Sequence, residues 1–465
     1  MIEPIRLAAD SAGFISDPKP SDYMLLYVLW CDQGMAHLIE VYDGDNDLVP
    51  VAMVMIDFGA EVMKKSKELT ARQAAPSVSF VIERLKTLDG LGRAPYLDRV
   101  VISHQDADHW SMLNRFIEEI DAEEIPLIVG EIRYGGIGWK KGALDTLKAL
   151  AEFTVAQEAI PWRTNYSDYD SATHVKTAFY SPLGVSFRVL TTNVKSRLST
   201  PSIRANASSA VVVIDFDGAC FILPGDATRE TLAQCNIEIN KWMEDGSANP
   251  VRPCYFFGAP HHGAMATMNG TTRKGEVELG DLITFIDLTQ PYSTLASAGA
   301  ENSFKHPYLT ILGTISKYVG QSDNVHNIVV WDDLQMQWRV YTVLAHTYTT
   351  LIDIPHVRQE RFNASMETGD EPMELDDEDL VIACDWHIQL TRSRVGAIEP
   401  YPFPAPTKLS QTIWALVEAV TPAPREASPL VSTISPALRR MSRRRPPVTR
   451  VTARRSPAAA DASGG

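Results

Sequence analysis

Four side chains that can bind metal ions lie within six residues, directly after an apolar run: His104, Asp106, Asp108 and His109. The run before them, Val100 to Ile102, predicts a buried strand that would hold this cluster at the rim of a sheet. Carboxylates and neutral imidazoles suit Zn²⁺, Mn²⁺ or iron. Because alternate side chains of a tight turn point the same way, the first two ligands could bind one ion and the last two another. A polar loop with two incidental histidines is the alternative interpretation.

Three further predicted strands end in residues of the same kinds. Gly or Pro flanks most of these ends, as expected where a strand stops at a turn. A single strand that ends in histidines carries little information, but several such ends indicate one site at one edge of a sheet. The strands and the residues that follow them are Val51–Ile56 with Asp57, Ala219–Leu223 with Asp226, and Cys254–Phe257 with His261 and His262.

The elements that must position these residues alternate between strand and helix, which predicts an α/β layered fold. Tyr23–Trp30 and Ala36–Tyr42 form one hairpin signal, and Ser209–Phe216 before Asp217-Gly218 begins another. The polar stretch Lys195–Ala207 is predicted to be a loop. Other predicted strands are Ile125–Tyr134, Val185–Leu190, Ile328–Trp331 and Trp338–Val343, and the predicted helices are Ala74–Leu88, Trp110–Ile120, Ala143–Phe153 and one that starts near Thr228.

Composition divides the chain into three predicted parts. Residues 1–345 form a catalytic domain, and residues 346–423 form a C-terminal extension with an acidic loop at Met366–Asp379. Residues 424–465 are rich in Pro, Ala and Arg and are predicted to be a disordered tail. This tail carries nine arginines, one Glu and one Asp, a net +7 that leaves −22 for the rest of a chain of net charge −15. The acidic body does not attract polyanions in general, whereas the tail could bind phosphates or a protein partner.

The overall composition is that of an ordinary globular protein. Hydrophobic residues make up 45% of the 465 residues and charged residues 22%. No uninterrupted apolar run approaches about 18 residues, so no membrane span is predicted. The five cysteines have no metal-type spacing, and the first residues lack the pattern of a signal peptide. A reducing cytoplasm is the expected setting.

The strand ends and their local sequences resemble the metallo-β-lactamase superfamily, whose hydrolases share an αββα four-layer sandwich. Ser-His104-Gln-Asp106-Ala-Asp108-His109 is similar to the superfamily motif His-x-His-x-Asp-His, with Asp106 in place of the second histidine. More narrowly, residues 23 to 345 resemble the soluble domain of ComEC-type DNA-internalisation proteins and their stand-alone relatives. The blocks that carry this narrower resemblance are Gln33-Gly34, Ile56-Asp57-Phe-Gly59, Asn206-Ala-Ser-Ser, Leu223-Pro-Gly-Asp226, Pro260-His-His-Gly and Asn302-Ser-Phe-Lys-His306-Pro307.

The resemblance implies two divalent metal ions, Zn or Mn, at this site. Two such ions would lower the pKa of a shared water and generate hydroxide near neutral pH. A carboxylate can bridge the two ions because it has two oxygens. The implied ligands are His104 and Asp106 for the first ion, Asp108, His109 and one of His261 and His262 for the second, and Asp226 for both.

Other side chains would support these ligands or contact the substrate. Asp57 would hydrogen-bond a ligand imidazole and fix its tautomer, with an end-of-strand turn residue as the alternative. Asn206 could take the place of a further histidine ligand that the superfamily has and this sequence lacks. Asn302 and His306 could bind phosphate oxygens, with a helix cap and an exposed histidine as the alternative. The residues implied to act in catalysis are Asp108, Asp226 and His262.

The implied function is that of a soluble dinuclear metal-dependent hydrolase. The ComEC-type resemblance favours phosphodiester bonds, with nucleic acid or a nucleotide as substrate. Hydrolysis of a small ester, thioester or lactam is a second hypothesis, since the same hydroxide would serve. A third is a binding or scaffold protein with weak catalysis, because the further histidine is missing and Trp-Ser-Met replaces the glycines that usually follow His109. The ComEC-type channel is absent from the sequence, so transport is not implied.

Overall fold

The structure, a computed structural model, describes most of the first 350 residues and one later strand. Asn302, the predicted acidic loop and the predicted tail lie outside the described residues. The described residues are 21–31, 33–45, 48–60, 67–162, 178–196, 200–216, 218–244, 251–268, 279–298, 304–350 and 386–391.

Two large β-sheets form the centre of the molecule. The first has the strand order β15-β1-β2-β3-β4-β5-β6 and the second the order β14-β11-β10-β9-β8-β7, while β12 and β13 form a separate hairpin. The strands are β1 (Tyr23–Val28), β2 (Gly34–Tyr42), β3 (Ala52–Ala60), β4 (Tyr96–Ile102), β5 (Ile128–Tyr134), β6 (Ala159–Pro161), β7 (Val185–Thr191), β8 (Val211–Phe216), β9 (Ala219–Leu223), β10 (Cys254–Gly258), β11 (Ser293–Ala296), β12 (Gln321–Asp332), β13 (Gln337–Ala345), β14 (Thr347–Thr349) and β15 (Trp386–Thr391).

Helices cover the outer face of each sheet. α1, α2 and α3 pack on the first sheet, and α5, α7 and α8 pack on the second. The helices are α1 (Lys67–Gly90), α2 (Met112–Ala122), α3 (Lys141–Ala151), α4 (Pro201–Ala207), α5 (Arg229–Glu244), α6 (Met265–Met268), α7 (Gly280–Thr289) and α8 (Leu309–Ile315).

Strand β3 shows why the layers form in this order. Its side chains alternate between two apolar cores, because successive residues of a strand point to opposite faces. Met53 and Met55 pack against the helices of the first sheet, whereas Val54 and Ile56 pack against the second sheet. A third core lies between the second sheet and its helices. The predicted αββα four-layer sandwich is therefore confirmed.

A β-bulge interrupts β3 near its carboxyl end. Ile56 lies opposite His37 of β2, and Phe58 lies opposite Ala36, so Asp57 is an extra residue without its own partner. Its φ of 52° is in the left-handed region, which non-glycine residues seldom adopt. Bulges bend a strand and redirect a side chain, and they are frequent next to active sites.

The carboxyl ends of four strands meet at one edge of the sandwich. β3 and β4 run parallel in the first sheet, and β9 and β10 run parallel in the second. A backbone hydrogen bond of 3.0 Å from Ala210 N to Ser103 O joins the two sheets at this edge. The predicted strand-end residues from His104 to His262 follow the carboxyl ends of β4, β9 and β10. Asp57 lies within β3 instead, in the bulge near its carboxyl end.

The segment that was predicted to be a loop at Lys195–Ala207 is partly helical, and that prediction is wrong for its second half. α4 begins after Thr200, whose side-chain oxygen accepts a hydrogen bond from Ile203 N, and Pro201 occupies the first helical position. Both features favour a helix start. The polar composition hid this short helix because only its last residues are buried.

Two strands follow residue 345, the predicted end of the catalytic domain. β14 pairs with β11 in the second sheet, and β15 pairs with β1 in the first. The domain boundaries remain a prediction, since most residues between and after these strands are outside the described part.

Among the described residues, no helix is both long and apolar enough to cross a membrane.

Candidate metal centre

Asp226 occupies the centre of the strand-end cluster, and its two carboxylate oxygens face different histidines. Oδ1 lies 3.1 Å from His109 Nε2 and 3.6 Å from His262 Nε2. Oδ2 lies 3.6 Å from His104 Nε2 and 3.2 Å from His261 Nε2. Asp226 is 2% exposed, so this carboxylate has little access to water. The cluster therefore has two halves that share one carboxylate.

Each half contains a second carboxylate. Asp106 Oδ2 lies 3.7 Å from His104 Nε2 in the first half, and Asp108 Oδ2 lies 3.4 Å from His262 Nε2 in the second. In the second half, ligand atoms of four residues lie within 4.8 Å of one another, close enough to hold one metal ion: Asp108, His109, Asp226 and His262.

The sequence had left open which of the adjacent histidines belongs to the cluster, and the structure brings both to Asp226. His262 lies on the Oδ1 side with Asp108, and His261 lies on the Oδ2 side with His104. Both residues have positive φ, 47° and 54°, so this turn is strained. Such strain is frequent at functional sites, where the surrounding structure maintains it.

Strand β4 and the tight turn that follows it position the first cluster, which comprises His104, Asp106, Asp108 and His109. After β4 ends at Ile102, Asp108 and His109 lie in a short 3-10 helix at Ala107–His109. This turn packs on the backbone of Gly59 so closely that a Cβ there would lie 2.4 Å from His109 N. Only glycine fits at position 59 without displacing this turn.

Asp57 holds the imidazole ring of His109 in place. Its Oδ1 accepts a hydrogen bond of 2.7 Å from Ser103 N, and its Oδ2 lies 2.8 Å from Ser103 Oγ and 2.9 Å from His109 Nδ1. His109 Nε2 lies 3.1 Å from Asp226 Oδ1. If Nε2 binds a metal ion, the ring would keep its proton on Nδ1 and donate it to the Asp57 carboxylate. The bulge in β3 is what aims Asp57 at this ring.

His262 is oriented by a backbone carbonyl. Its Nδ1 lies 3.0 Å from Ser297 O, and a carbonyl can only accept, so Nδ1 carries the proton. The neutral ring then presents an unprotonated Nε2 to the cluster. His104 Nε2 and His262 Nε2 are buried and have no hydrogen-bond partner among the described residues. Buried ring nitrogens left without partners, next to carboxylates, are the donor set that Zn²⁺ or Mn²⁺ would satisfy.

The electrostatics of the cluster favour anionic carboxylates. Burial by itself raises the pKa of the Asp226 carboxyl, but His261 and His109 hold it well below the ordinary value. Burial also opposes ionisation of Asp108, yet nearby His109 helps to lower the Asp108 pKa to about 2. For His109 burial lowers the pKa, but carboxylates including Asp57 raise it well above the usual value. Ionised carboxylates at neutral pH are the form that binds cations.

The other residues singled out from the sequence lie at the margins of the cluster. Asn206 Nδ2 is 3.3 Å from His261 Nε2, so this amide adjoins the first half. His306 is 6% exposed, with its ring centroid 5.4 Å from that of His261. Its Nδ1 lies 3.4 Å from Gln33 Nε2. The exposed histidine considered from the sequence is therefore a buried one. Asn302 is outside the described residues, and its role remains a prediction.

Sequence reasoning missed two contributors that act through other residues. Ser103 contacts Asp57 and both first-cluster imidazoles, with its Oγ 3.2 Å from His104 Nδ1 and 3.2 Å from His109 Nδ1. Ser297 supplies its carbonyl to His262, and its Oγ donates to Gly34 O at 2.7 Å. A serine directly before the first histidine was visible in the sequence, but nothing there connected Ser297 with a site 35 residues away.

The fold and the cluster together define the class of protein: an αββα sandwich with a His/Asp group at one edge that could hold metal ions. No protein-family model and no curated protein matches the chain. Solved structures do resemble it. The metallo-β-lactamase fold protein YhfI from Bacillus subtilis is 9% identical, and the match covers 64% of this chain and 93% of that chain with a TM-score of 0.34. A long-form RNase Z from yeast is 10% identical, and the match covers 62% of this chain and 39% of that chain with a TM-score of 0.33. A new diphosphatase from the PhnP family is 11% identical, and the match covers 60% of this chain and 87% of that chain with a TM-score of 0.28.

At these TM-scores the likeness carries no argument about activity. The architecture rests on the two sheets and three apolar cores of this chain, and the site rests on its own distances. The narrower ComEC-type resemblance remains a prediction from the sequence.

Proposed function

We propose that the protein is a dinuclear metal-dependent hydrolase that acts on phosphodiester bonds. The observation that carries the proposal is the division of the Asp226 carboxylate between two groups of histidines, each with a carboxylate of its own. His104, Asp106 and His261 would hold one ion, and Asp108, His109 and His262 the other, with Asp226 shared. This assigns His261 to the first ion, which the sequence had left without a third protein ligand of its own.

The residues of the chain would each perform a defined task. Asp57 keeps a proton on His109 Nδ1, and Ser297 O keeps one on His262 Nδ1, so that both Nε2 atoms remain available. The shared Asp226 carboxylate fixes the separation of the two halves. When bound, divalent ions would supply Lewis-acid stabilisation of charge on the attacked group and an activated water.

Two features support a phosphodiester over a small ester or lactam. An aspartate, Asp106, takes a position that is a histidine in the superfamily motif, and a carboxylate-rich donor set suits Mn²⁺ as well as Zn²⁺. Asp57, Asp106, Asp108 and Asp226 also make the cluster strongly negative by themselves, and bound divalent ions would offset this charge for an anionic substrate. The ComEC-type blocks in the sequence point to the same substrate class.

The test combines metal analysis with a substrate panel. Metal content is measured by mass spectrometry, and hydrolysis of bis-p-nitrophenyl phosphate, single-stranded DNA, RNA and nitrocefin is measured with Mn²⁺ or Zn²⁺. We expect about two ions per chain and hydrolysis of the phosphodiesters. In Asp226→Asn we expect metal loss and at least about a 100-fold fall in kcat, since even residues that only orient ligands cost 10- to 100-fold.

A matched control is Asp98→Asn, which alters a half-buried aspartate of the first sheet. Asp98 accepts a hydrogen bond of 2.9 Å from Met53 N near the amino end of β4, away from the cluster. This variant should retain metal and activity. A protein that binds no transition metal and hydrolyses nothing would support the scaffold hypothesis instead. Hydrolysis of nitrocefin alone would support the small-molecule hypothesis.

A further inference from the structure

The segment that carries His306 is fixed tightly between the metal-type cluster and the β12–β13 hairpin. Tyr308 N donates to Gly263 O at 3.1 Å, and Trp331 N donates to Pro307 O at 2.8 Å. A Cβ on Gly263, whose φ is 79°, would lie 2.7 Å from Pro307 Cβ. The segment therefore packs without a gap on the turn that presents His261 and His262, and its position relative to the cluster is determined.

Three rings on this side form a row that leads from the cluster to the surface. The rings of His262 and His306 are nearly parallel, 11° apart, with centroids separated by 6.1 Å. Phe304 continues the row, with its ring at 26° to that of His306 and 5.8 Å away. His262 and His306 are buried, whereas Phe304 is 50% exposed. Phe304 therefore offers a half-exposed aromatic ring at the outer end of a row that begins in the cluster.

The next residue in the chain, Lys305, carries a positive charge. Lys305 Nζ is 4.0 Å from the centroid of the Trp331 ring, a cation–π contact that restrains the ammonium group. Its backbone φ of 64° is a further left-handed conformation of a non-glycine residue next to the site. An aromatic surface and an ammonium group on successive residues match a base and a phosphate of the same nucleotide.

We propose that Phe304 is a stacking surface for the base of a nucleotide unit whose phosphodiester is attacked at the neighbouring cluster, with Lys305 beside the phosphates. The inference rests on the proposed function and names its substrate class. A stacked base fits any sequence, because every base has a flat aromatic face. The protein would therefore prefer nucleotidyl esters over simple alkyl phosphodiesters without reading sequence.

The test compares two substrates that share a leaving group and differ only in the nucleoside. These are thymidine 5′-(p-nitrophenyl phosphate) and ethyl p-nitrophenyl phosphate, measured with the metal-loaded protein. The variants are Phe304→Leu, which keeps an apolar side chain of similar bulk, and Phe304→Trp, which keeps a stacking ring. Tyr318→Leu is the matched control, since Tyr318 is a 38% exposed aromatic residue beyond the end of α8 that leads away from the cluster.

We expect Phe304→Leu to lower kcat/KM for the thymidine ester about 10-fold, mainly through KM, and to leave the ethyl ester unchanged. Phe304→Trp should restore the preference, and Tyr318→Leu should not alter it. An equal effect of Phe304→Leu on both esters, or no effect on either, would overturn the inference while the hydrolase proposal stands.

A binding measurement separates the inference from the hydrolase proposal. The dissociation constant of the dinucleotide TpT is measured by calorimetry for the wild type and the same variants, with and without added metal. If neither ester is hydrolysed, the proposed function fails. A weaker TpT affinity in Phe304→Leu alone would then still support the stacking surface, and identical affinities in all variants would refute it.

Discussion

Replacing Asp57 by asparagine should reverse the tautomer of His109 and weaken metal binding. In the wild type, one carboxylate oxygen accepts from Ser103 N at 2.7 Å, and the other faces Ser103 Oγ and His109 Nδ1. In Asp57→Asn, the amide oxygen must remain opposite Ser103 N, because that N–H can only donate. The amide NH₂ then faces His109 Nδ1, which must accept, so the ring proton moves to Nε2.

That shift removes the lone pair from the nitrogen that lies 3.1 Å from Asp226. Loss of such an orienting partner costs about 10- to 100-fold in metal affinity, equivalent to about 1.4 to 2.8 kcal/mol. The assay is competition for Zn²⁺ and Mn²⁺ against a chelator of known affinity, with thermal unfolding measured in parallel. We expect one of the two ions to be weakened, namely the ion on the Asp108 side.

Asp98→Asn again provides the comparison. Asp98 is on β4, five residues before Ser103, which corresponds to about 16 Å at roughly 3.3 Å per residue. Both variants replace a carboxylate that accepts a backbone hydrogen bond, so both should unfold at a lower temperature, but only Asp57→Asn should weaken metal binding. Wild-type metal affinity in Asp57→Asn would refute the tautomer argument and return Asp57 to an ordinary turn residue.

Two further predictions concern packing and charge. Gly59→Ala should destabilise the fold by about 1–3 kcal/mol and lower metal affinity, because its Cβ would meet backbone atoms of the metal-binding turn. Gly142→Ala, at an exposed position of α3 with nothing within 4 Å of the added Cβ, should instead stabilise by about 0.5–1 kcal/mol; equal denaturation midpoints would contradict this contrast. Arg84→Met should lower the free energy of unfolding by about 2–3 kcal/mol, because it leaves the fully buried Glu40 carboxylate without the guanidinium that lies 2.8 Å away. This loss is smaller than for a fully buried ion pair, because Arg84 is 28% exposed. The hydroxyls of Tyr27 and Tyr42 also donate hydrogen bonds to Glu40. Chemical denaturation measures the loss, and a change below about 0.5 kcal/mol would show that these two hydroxyls suffice for the Glu40 carboxylate.

Much of the site could be predicted because it follows strand ends. Apolar runs that stop at Asp or His identify the edge of a sheet, and this placed Asp226 and the first cluster correctly at the same edge. Adjacent residues such as His261 and His262 could not be assigned to different halves, because that depends on two successive positive φ angles. The orienting role of Ser297 depends on a contact that only the folded chain creates.

The fold could be predicted at the level of layers and less well in its irregular parts. An uninterrupted apolar run such as Val51–Ile56 predicts a strand that is buried on both faces and therefore separates two cores. The bulge at Asp57 leaves no comparable trace, because one unpaired residue is indistinguishable from a strand end in the sequence. The short helix α4 was missed for a related reason, since too few of its residues are buried to give a helical period.

The bulge also shifts, by one residue, the alternation of side chains between the two cores along β3. Before it, even-numbered residues such as Val54 and Ile56 face the second sheet, but after it the even-numbered Phe58 and Ala60 face the helices. Without Asp57, Ile56 and Phe58 would be successive residues on opposite faces, so a regular strand would keep Phe58 and Ala60 in the same core. The bulge therefore adds the orienting carboxylate without moving any later side chain of β3 to a different core.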